Sequence, residues 1–181
     1  MKAAFLDRDG VINRDLGFVG AWREFEFMPG VHGALRDLQR LGYELVIVTN
    51  QSGIARGYFD EAAYQTLTGR MLEALAAAGV TVRGVYHCPH HPDGIVPGLA
   101  VRCDCRKPQP GLLLRAAREH GLDLGSSLLI GDRSSDLEAA RRAGVGRAYR
   151  VGSGEGAPDG TADGEFADLA ECVRALAKLS L

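Results

Sequence analysis

The sequence predicts an α/β protein built on a doubly wound parallel sheet, and three observations carry that expectation. Short apolar runs alternate with segments of helical period along most of the chain. The run ELVIV, residues 44–48, is apolar on both faces, as a strand buried inside a parallel sheet must be. Polar turns follow three of the apolar runs, two of them rich in aspartate, where such a fold gathers its ligand beyond the carboxyl ends of its strands. Strand alternating with helix implies right-handed crossovers and helices on both faces of the sheet.

The elements follow in order. AAFL (Ala3–Leu6) reads as the first strand, ending at DRDG. Val31, Leu35, Leu38 and Leu41 recur at a helical period, with Gly42 as the stop. Residues 44–48 form the second strand, followed by TNQSG. Tyr64, Leu67, Met71 and Leu75 mark a second helix between an N-cap at Asp60 and a stop at Gly79. VRGVYH, residues 82–87, is the third strand. PGLLLRAAREHG opens a helix with Pro110 in its first turn and closes at Gly121. LLI, residues 128–130, is a strand leading into GDRSSD, and SDLEAARRAG is a helix ending at Gly144. RAYRV (Arg147–Val151) is a fifth strand and residues 162–166 a sixth. The tail, Leu169–Leu179, is helical with Cys172 on its apolar stripe, a small core residue. GSGEGAPDGTADGE, residues 152–165, reads as a mobile surface loop.

Composition narrows the class of function. The chain has 181 residues, 46% apolar and 24% charged, which suits one folded domain over residues 1–181. A formal net charge of −2 offers no general attraction to nucleic acid or anionic membranes, so a bound anion needs a local constellation. Asp7 interrupts the N-terminal apolar run, and no window reaches the length of a membrane span. A cytoplasmic protein is expected, in which thiols stay reduced and clustered cysteines bind metal more often than they pair.

At the strand ends, Asp7 and Asp9 lie two apart and precede Gly10, which permits a tight turn. Two close carboxylates repel unless a cation or a shared proton intervenes. Asp132, at an equivalent strand end, would complete an oxygen-rich site for Mg²⁺. Thr49 and Lys107 would offer a hydroxyl and a fixed positive charge to a phosphoryl group. A single aspartate at a strand end is usually a turn or cap residue, and Asp136 could simply cap the helix after Asp132. The joint occurrence at three strand ends argues for chemistry.

Residues 87–108 hold three of the four cysteines and three of the five histidines. Cys-x-His and Cys-x-Cys are tighter than the usual zinc spacing, yet zinc remains the favoured reading. A Cys103–Cys105 disulfide would close a strained ring over one residue. His87 and His91 are read as loop or surface residues.

These residues resemble the haloacid dehalogenase superfamily of phosphotransferases. Its aspartate–x–aspartate motif is similar to FLDRDGVIN, its strand-terminal threonine to VTNQSG, its lysine before a helix to RKPQPG, and its acidic pair to IGDRSSD. The resemblance implies an α/β Rossmann-like phosphatase fold in which Asp7 forms an aspartyl-phosphate and Asp9 serves as acid and then base. It implies Mg²⁺ on the Asp7 carboxylate, the Asp9 backbone carbonyl and Asp132. CPHHP followed by CDCRKP resembles the subgroup containing heptose bisphosphate phosphatases and histidinol-phosphatase domains. That subgroup implies a closed, structural Zn²⁺ site on Cys88, His90, Cys103 and Cys105, which would order the loop presenting Arg106 and Lys107. It implies hydrolysis of the C7 phosphate of a D-glycero-D-manno-heptose 1,7-bisphosphate, for surface polysaccharide synthesis. Histidinol phosphate is the alternative substrate, and a zinc-stabilised module without activity the alternative class.

The expected substrate-binding residues are Asp15, Asn50, Gln51, Ser52 and Arg106, with Arg133 and Asp136 as further candidates. Arg133 stands where the subgroup often has lysine, keeping the charge but not the geometry. No large cap fits between Asp9 and Thr49, so residues 13–27 and the zinc loop must shape the pocket. The expected partner is a small sugar phosphate, and the expected assembly a monomer.

Overall fold

The computed structural model of the protein describes residues 1–152 and 161–179. Six strands pair in parallel in the order β3-β2-β1-β4-β5-β6. They are β1 (Ala3–Leu6), β2 (Glu44–Asn50), β3 (Val82–Cys88), β4 (Leu128–Gly131), β5 (Arg147–Val151) and β6 (Gly164–Phe166). The helices are α1 (Val31–Arg40), α2 (Glu61–Ala77), α3 (Gly111–His120), α4 (Ser134–Ala143) and α5 (Leu169–Leu179). The chain winds outward from β1 to β3, then crosses back to β4, so the order reverses between β1 and β4. Leu6 is level with Ile47 and with Ile130. The residues that follow in the three strands therefore emerge at one edge.

Side chains alternate across the central strands and bury both faces. Ala4, Leu6, Leu45, Ile47, Leu128 and Ile130 pack with apolar residues of α1, α2 and α5. Ala3, Phe5, Val46, Val48 and Leu129 pack on α3 and α4 from the other side. Leu35, Leu38, Met71 and Leu113 are at most 1% exposed, and burying each such side chain stabilises the fold by about 1.5–3 kcal/mol. Cys172 is fully buried in α5. Asp60 caps α2 by accepting the Ala63 N–H at 2.8 Å.

Several boundaries differ from the expectation, for local reasons. β2 runs on through Thr49 and Asn50, which pair with His87 and Cys88; strand pairing satisfies their backbones although their side chains are polar. β3 runs one residue further, to Cys88; His87 lies in it as the strand reading expects, and not in a loop, with its ring 4.1 Å from that of Tyr64. Pro110 is the N-cap of α3 and not part of its first turn. β6 starts at Gly164 and leaves Ala162 outside. Of the loop expected over 152–165, residues 153–160 lie outside the described residues. Among the described residues, no helix is long and apolar enough to cross a membrane.

Between Asp9 and α1 stands a loop with one short 3₁₀ turn, Trp22–Glu24. Its aromatic residues order it: Trp22 stacks on Phe25 at 5.2 Å, and Phe25 meets Phe27 edge-on at 5.0 Å. No large cap stands here, in keeping with the expectation.

Candidate active site

Five polar residues converge beneath the switch in strand order. Thr49, Lys107, Asp132 and Asp136 are buried, and Asp7 is 8% exposed. The Lys107 ammonium lies 3.0 Å from Asp7 Oδ1 and 2.5 Å from Asp136 Oδ1, and it donates to the Val48 carbonyl at 2.8 Å. Burial alone would push the lysine pKa down, but Asp136 and Asp7 hold it above its ordinary value.

One lysine does not balance the acids around it. Burial, then the charge of Asp136, drives the Asp7 pKa well above the carboxylate range despite Lys107. Burial and Asp136 likewise push Asp132 up to about 6. Oxygens of Asp7, Asp132 and Asp136 lie within 4.8 Å of one another. Asp132 Oδ1 is buried and has no hydrogen-bond partner among the described residues. Surplus negative charge beside an unpartnered carboxylate oxygen fits a hard divalent cation. Gly10 makes room for this: its φ is 87°, and a Cβ there would run into the Asp132 carboxylate.

Asp9 points elsewhere. Its Oδ1 accepts from Arg8 Nη2 at 3.0 Å and Asn13 Nδ2 at 2.9 Å. Its Oδ2 accepts from Arg8 Nε at 3.2 Å and Gln51 Nε2 at 3.0 Å. The carboxylate is therefore outside the cluster of Asp7, Asp132 and Asp136.

Above this floor opens a pocket of about 660 Å³. It is lined by Asp7, Asp9, Asp15, Asn50, Gln51, Ser52, Arg106, Lys107, Arg133 and Asp136, among others. Every expected substrate-binding residue thus reaches it, while Thr49 and Asp132 lie beneath. Some of these side chains are already committed. Asn50 donates to the Lys107 carbonyl at 3.1 Å and accepts the Lys107 N–H at 3.0 Å. Gln51 Nε2 donates to Thr49 Oγ1 at 2.9 Å as well as to Asp9. Asp15 accepts the Gly17 N–H at 3.0 Å and pairs with Arg133 at 3.2 Å. Asp136 also accepts the Arg133 N–H at 3.1 Å, so it caps α4 and binds Lys107 at once.

The sequence reading missed Phe18 and Arg56, which line the pocket, and Arg8, which lies under it. The guanidinium of Arg56 lies 5.7 Å from the Phe18 ring. Buried N–H groups of Arg56 (Nε) and Arg106 (Nη1) have no partner among the described residues, as expected where an anion is received. Only charge pointed to Arg56; no spacing singles it out.

At the end of β3 the soft ligands meet. Cys88 Sγ is 3.6 Å from His90 Nδ1 and 3.5 Å from Cys103 Sγ. Cys105 Sγ is 3.4 Å from His90 Nδ1 and 3.5 Å from Cys103 Sγ. Such edges fit a tetrahedron whose donors stand about 2.0–2.3 Å from its centre. The thiols are unpaired. Hydrogen bonding from Cys88 pulls the Cys105 thiol down to about 5 against burial, and Cys88 is pushed up by the same contact and by burial. His87 and His91 stand outside the cluster. The Arg106 N–H donates to Cys103 Sγ at 3.3 Å, which ties the pocket's cations to the cluster.

An open parallel sheet with Asp7 and Asp9 after its first strand, and Thr49, Lys107 and an acidic pair around them, is the arrangement of a haloacid dehalogenase-like hydrolase. Residues 104–176 match the family model described as HAD-hydrolase-like. The D-glycero-beta-D-manno-heptose-1,7-bisphosphate 7-phosphatase of Yersinia pestis is 44% identical over 184 residues, covering 97% of this chain and 96% of that protein. The D-glycero-alpha-D-manno-heptose-1,7-bisphosphate 7-phosphatase of Photorhabdus laumondii is 46% identical over 154 residues, 85% of this chain and 84% of that one. The crystal structure of D,D-heptose 1,7-bisphosphate phosphatase from B. bronchiseptica, complexed with magnesium and phosphate, superposes with a TM-score of 0.84. It is 38% identical, and the match covers 99% of each chain. The chain belongs to the heptose-1,7-bisphosphate 7-phosphatase family of HAD-like hydrolases.

Proposed function

We propose that the protein is a Mg²⁺-dependent phosphatase that removes the C7 phosphate of D-glycero-D-manno-heptose 1,7-bisphosphate. The observation that carries this reading is a buried Asp7–Lys107 pair on the floor of a pocket walled by Arg56, Arg106 and Arg133. One phosphate has a nucleophile and the other has cations.

Lys107 Nζ and the Arg8 N–H both hold Asp7 Oδ1, so Oδ2 is the oxygen presented for attack. It bonds to phosphorus as the ester P–O bond breaks, and Asp9 gives its proton to the departing sugar oxygen. Asp9 then takes a proton from water, whose oxygen attacks phosphorus and breaks the bond to Asp7. Inorganic phosphate leaves and both carboxyl groups are restored. Lys107 and the Thr49 hydroxyl balance charge on the transferring group. The Asp7 and Asp132 carboxylates and the Asp9 carbonyl would hold Mg²⁺, which would supply charge neutralisation between an anionic nucleophile and a phosphate dianion.

Arg106 receives the phosphate that is not cleaved, with its free Nη1–H as donor. Ser52, Asp15 and Arg133 bound the sugar, and Asn50 and Gln51 serve through Lys107 and Asp9. Cys88, His90, Cys103 and Cys105 would hold a structural Zn²⁺, and the unpaired thiols suit the reducing cytoplasm. In this reading the chain acts as one domain and as a monomer, with the pocket lined by its own residues.

The test is turnover with Mg²⁺ on both heptose bisphosphate anomers and on histidinol phosphate, for the wild type and Asp7→Asn. The bisphosphates should be preferred, and Asp7→Asn should fold but be inactive. A preference for histidinol phosphate would overturn the substrate assignment. Activity of Asp7→Asn within about tenfold of wild type would falsify the covalent route.

A further inference from the structure

Arg8, between the two aspartates, is 1% exposed, the largest side chain among the fully buried residues. A guanidinium is costly to bury, so its position needs a reason. The surroundings give one. Nε and Nη2 straddle the Asp9 carboxylate at 3.2 and 3.0 Å, and Nη2 also donates to the Val19 carbonyl at 2.9 Å. Val19 follows Phe18, which lines the pocket. With Asn13 and Gln51, Arg8 occupies both Asp9 oxygens twice over.

We propose that Arg8 is a positioning residue that sets where the Asp9 carboxyl group stands, and that it takes its own bearing from the Val19 carbonyl, next to the pocket residue Phe18. A planar fork on both oxygens fixes the tilt of the carboxylate as well as its distance, which a point charge would not do. The anchor on Val19 makes the acid–base group and the loop of residues 13–27 one mechanical unit. A substrate seated against that loop bears on Asp9 through Arg8. Nearby Phe18 has a φ of 51°, uncommon for a non-glycine residue and typical of strain held at functional sites.

The inference rests on Asp9 being the general acid, and the experiment separates the two. The heptose leaving group is an alkoxide and needs a proton, whereas p-nitrophenolate leaves without one. Phosphoryl transfer to Asp7 is reported by kcat/KM, so later hydrolysis of the intermediate does not blur the comparison. For Asp9→Asn, kcat/KM should fall about 10²–10⁴-fold on the heptose bisphosphate and far less on p-nitrophenyl phosphate. Arg8→Met should show the same split at a smaller size, roughly 10–100-fold against less than about threefold, and Arg8→Lys should lie between it and wild type.

Equal losses on both substrates for the Arg8 variants, beside a split for Asp9→Asn, would reduce Arg8 to a structural role. No split for Asp9→Asn would sink the acid–base reading and the inference with it. Thermal melting accompanies each variant. If Arg8→Met does not fold, the ratio for Arg8→Lys decides: an unchanged ratio in a folded protein rejects the inference.

Discussion

Replacing Lys107 by methionine would remove the one cation shared by two buried carboxylates while keeping most of the side-chain volume. In the native protein the ammonium sits 3.0 Å from Asp7 and 2.5 Å from Asp136, with the Lys107 side chain 2% and that of Asp136 1% exposed. Removing one partner of a buried ion pair typically costs about 3–5 kcal/mol, because the remaining charge stays desolvated. For a chain of this length each kcal/mol lowers Tm by about 2–4 °C, so the fall should be about 6–20 °C. Circular dichroism melting in Mg²⁺-free buffer without chelator at a pH of about 7.5 measures it free of compensation by that ion and leaves the zinc in place. Two further results must agree. Adding Asp136→Asn should recover part of the loss, since one stranded charge is gone. The deficit should shrink as pH falls, because Asp7, held well above the ordinary carboxylate value by burial, takes up a proton. A Tm within about 2 °C of wild type, or a double variant losing the plain sum of its single losses, would refute the reasoning.

Two other outcomes follow from the same electrostatics and from the soft-ligand cluster. The folded pKa values of Asp7 and Asp132 are raised, so the metal-free folded state binds more protons than the unfolded chain. Its stability should therefore fall as pH rises from the ordinary value of 3.8 through about 6, and added Mg²⁺ should raise Tm more at neutral pH than at about pH 4.5; a flat profile in Mg²⁺-free buffer would count against it. Purified protein should carry about one zinc per chain by elemental analysis, and Cys103→Ser or Cys105→Ser should lower zinc content, Tm and turnover together; full activity and stability in zinc-free protein would contradict the structural role.

Much of the fold was legible because its signals are local. Leu35 and Leu38 announce α1 through spacing, and Val46, Ile47 and Val48 announce β2 through continuous apolarity. Asp7, Asp9, Thr49 and Asp132 were legible as site candidates because each lies within three residues of the end of such a run. Other features depend on the third dimension. Lys107 meets Asp7 only because the sheet order brings α3's entry loop under β1. The reciprocal bonds of Asn50 with the Lys107 backbone carry no pattern that adjacency could reveal. Nothing in the sequence singles out Arg8, since burial of a guanidinium is set by partners distributed over Asp9 and Val19. Arg56 reaches the pocket from a turn after β2 whose composition points to no ligand.

Apart from Lys107, which neighbours Arg106 on the loop before α3, the reactive floor and the pocket walls are carried by different kinds of chain. Asp7, Thr49 and Asp132 stand on or beside strands locked into the core, whereas Phe18, Arg56 and Arg106 stand on connecting segments. A change on the floor disturbs mutually balanced charges, and a change in the walls meets mainly solvent and ligand. Over evolutionary time the two should therefore drift at different speeds. A lineage can exchange one sugar phosphate for another by altering residues 13–27 or the turn after β2, with phosphoester cleavage inherited intact.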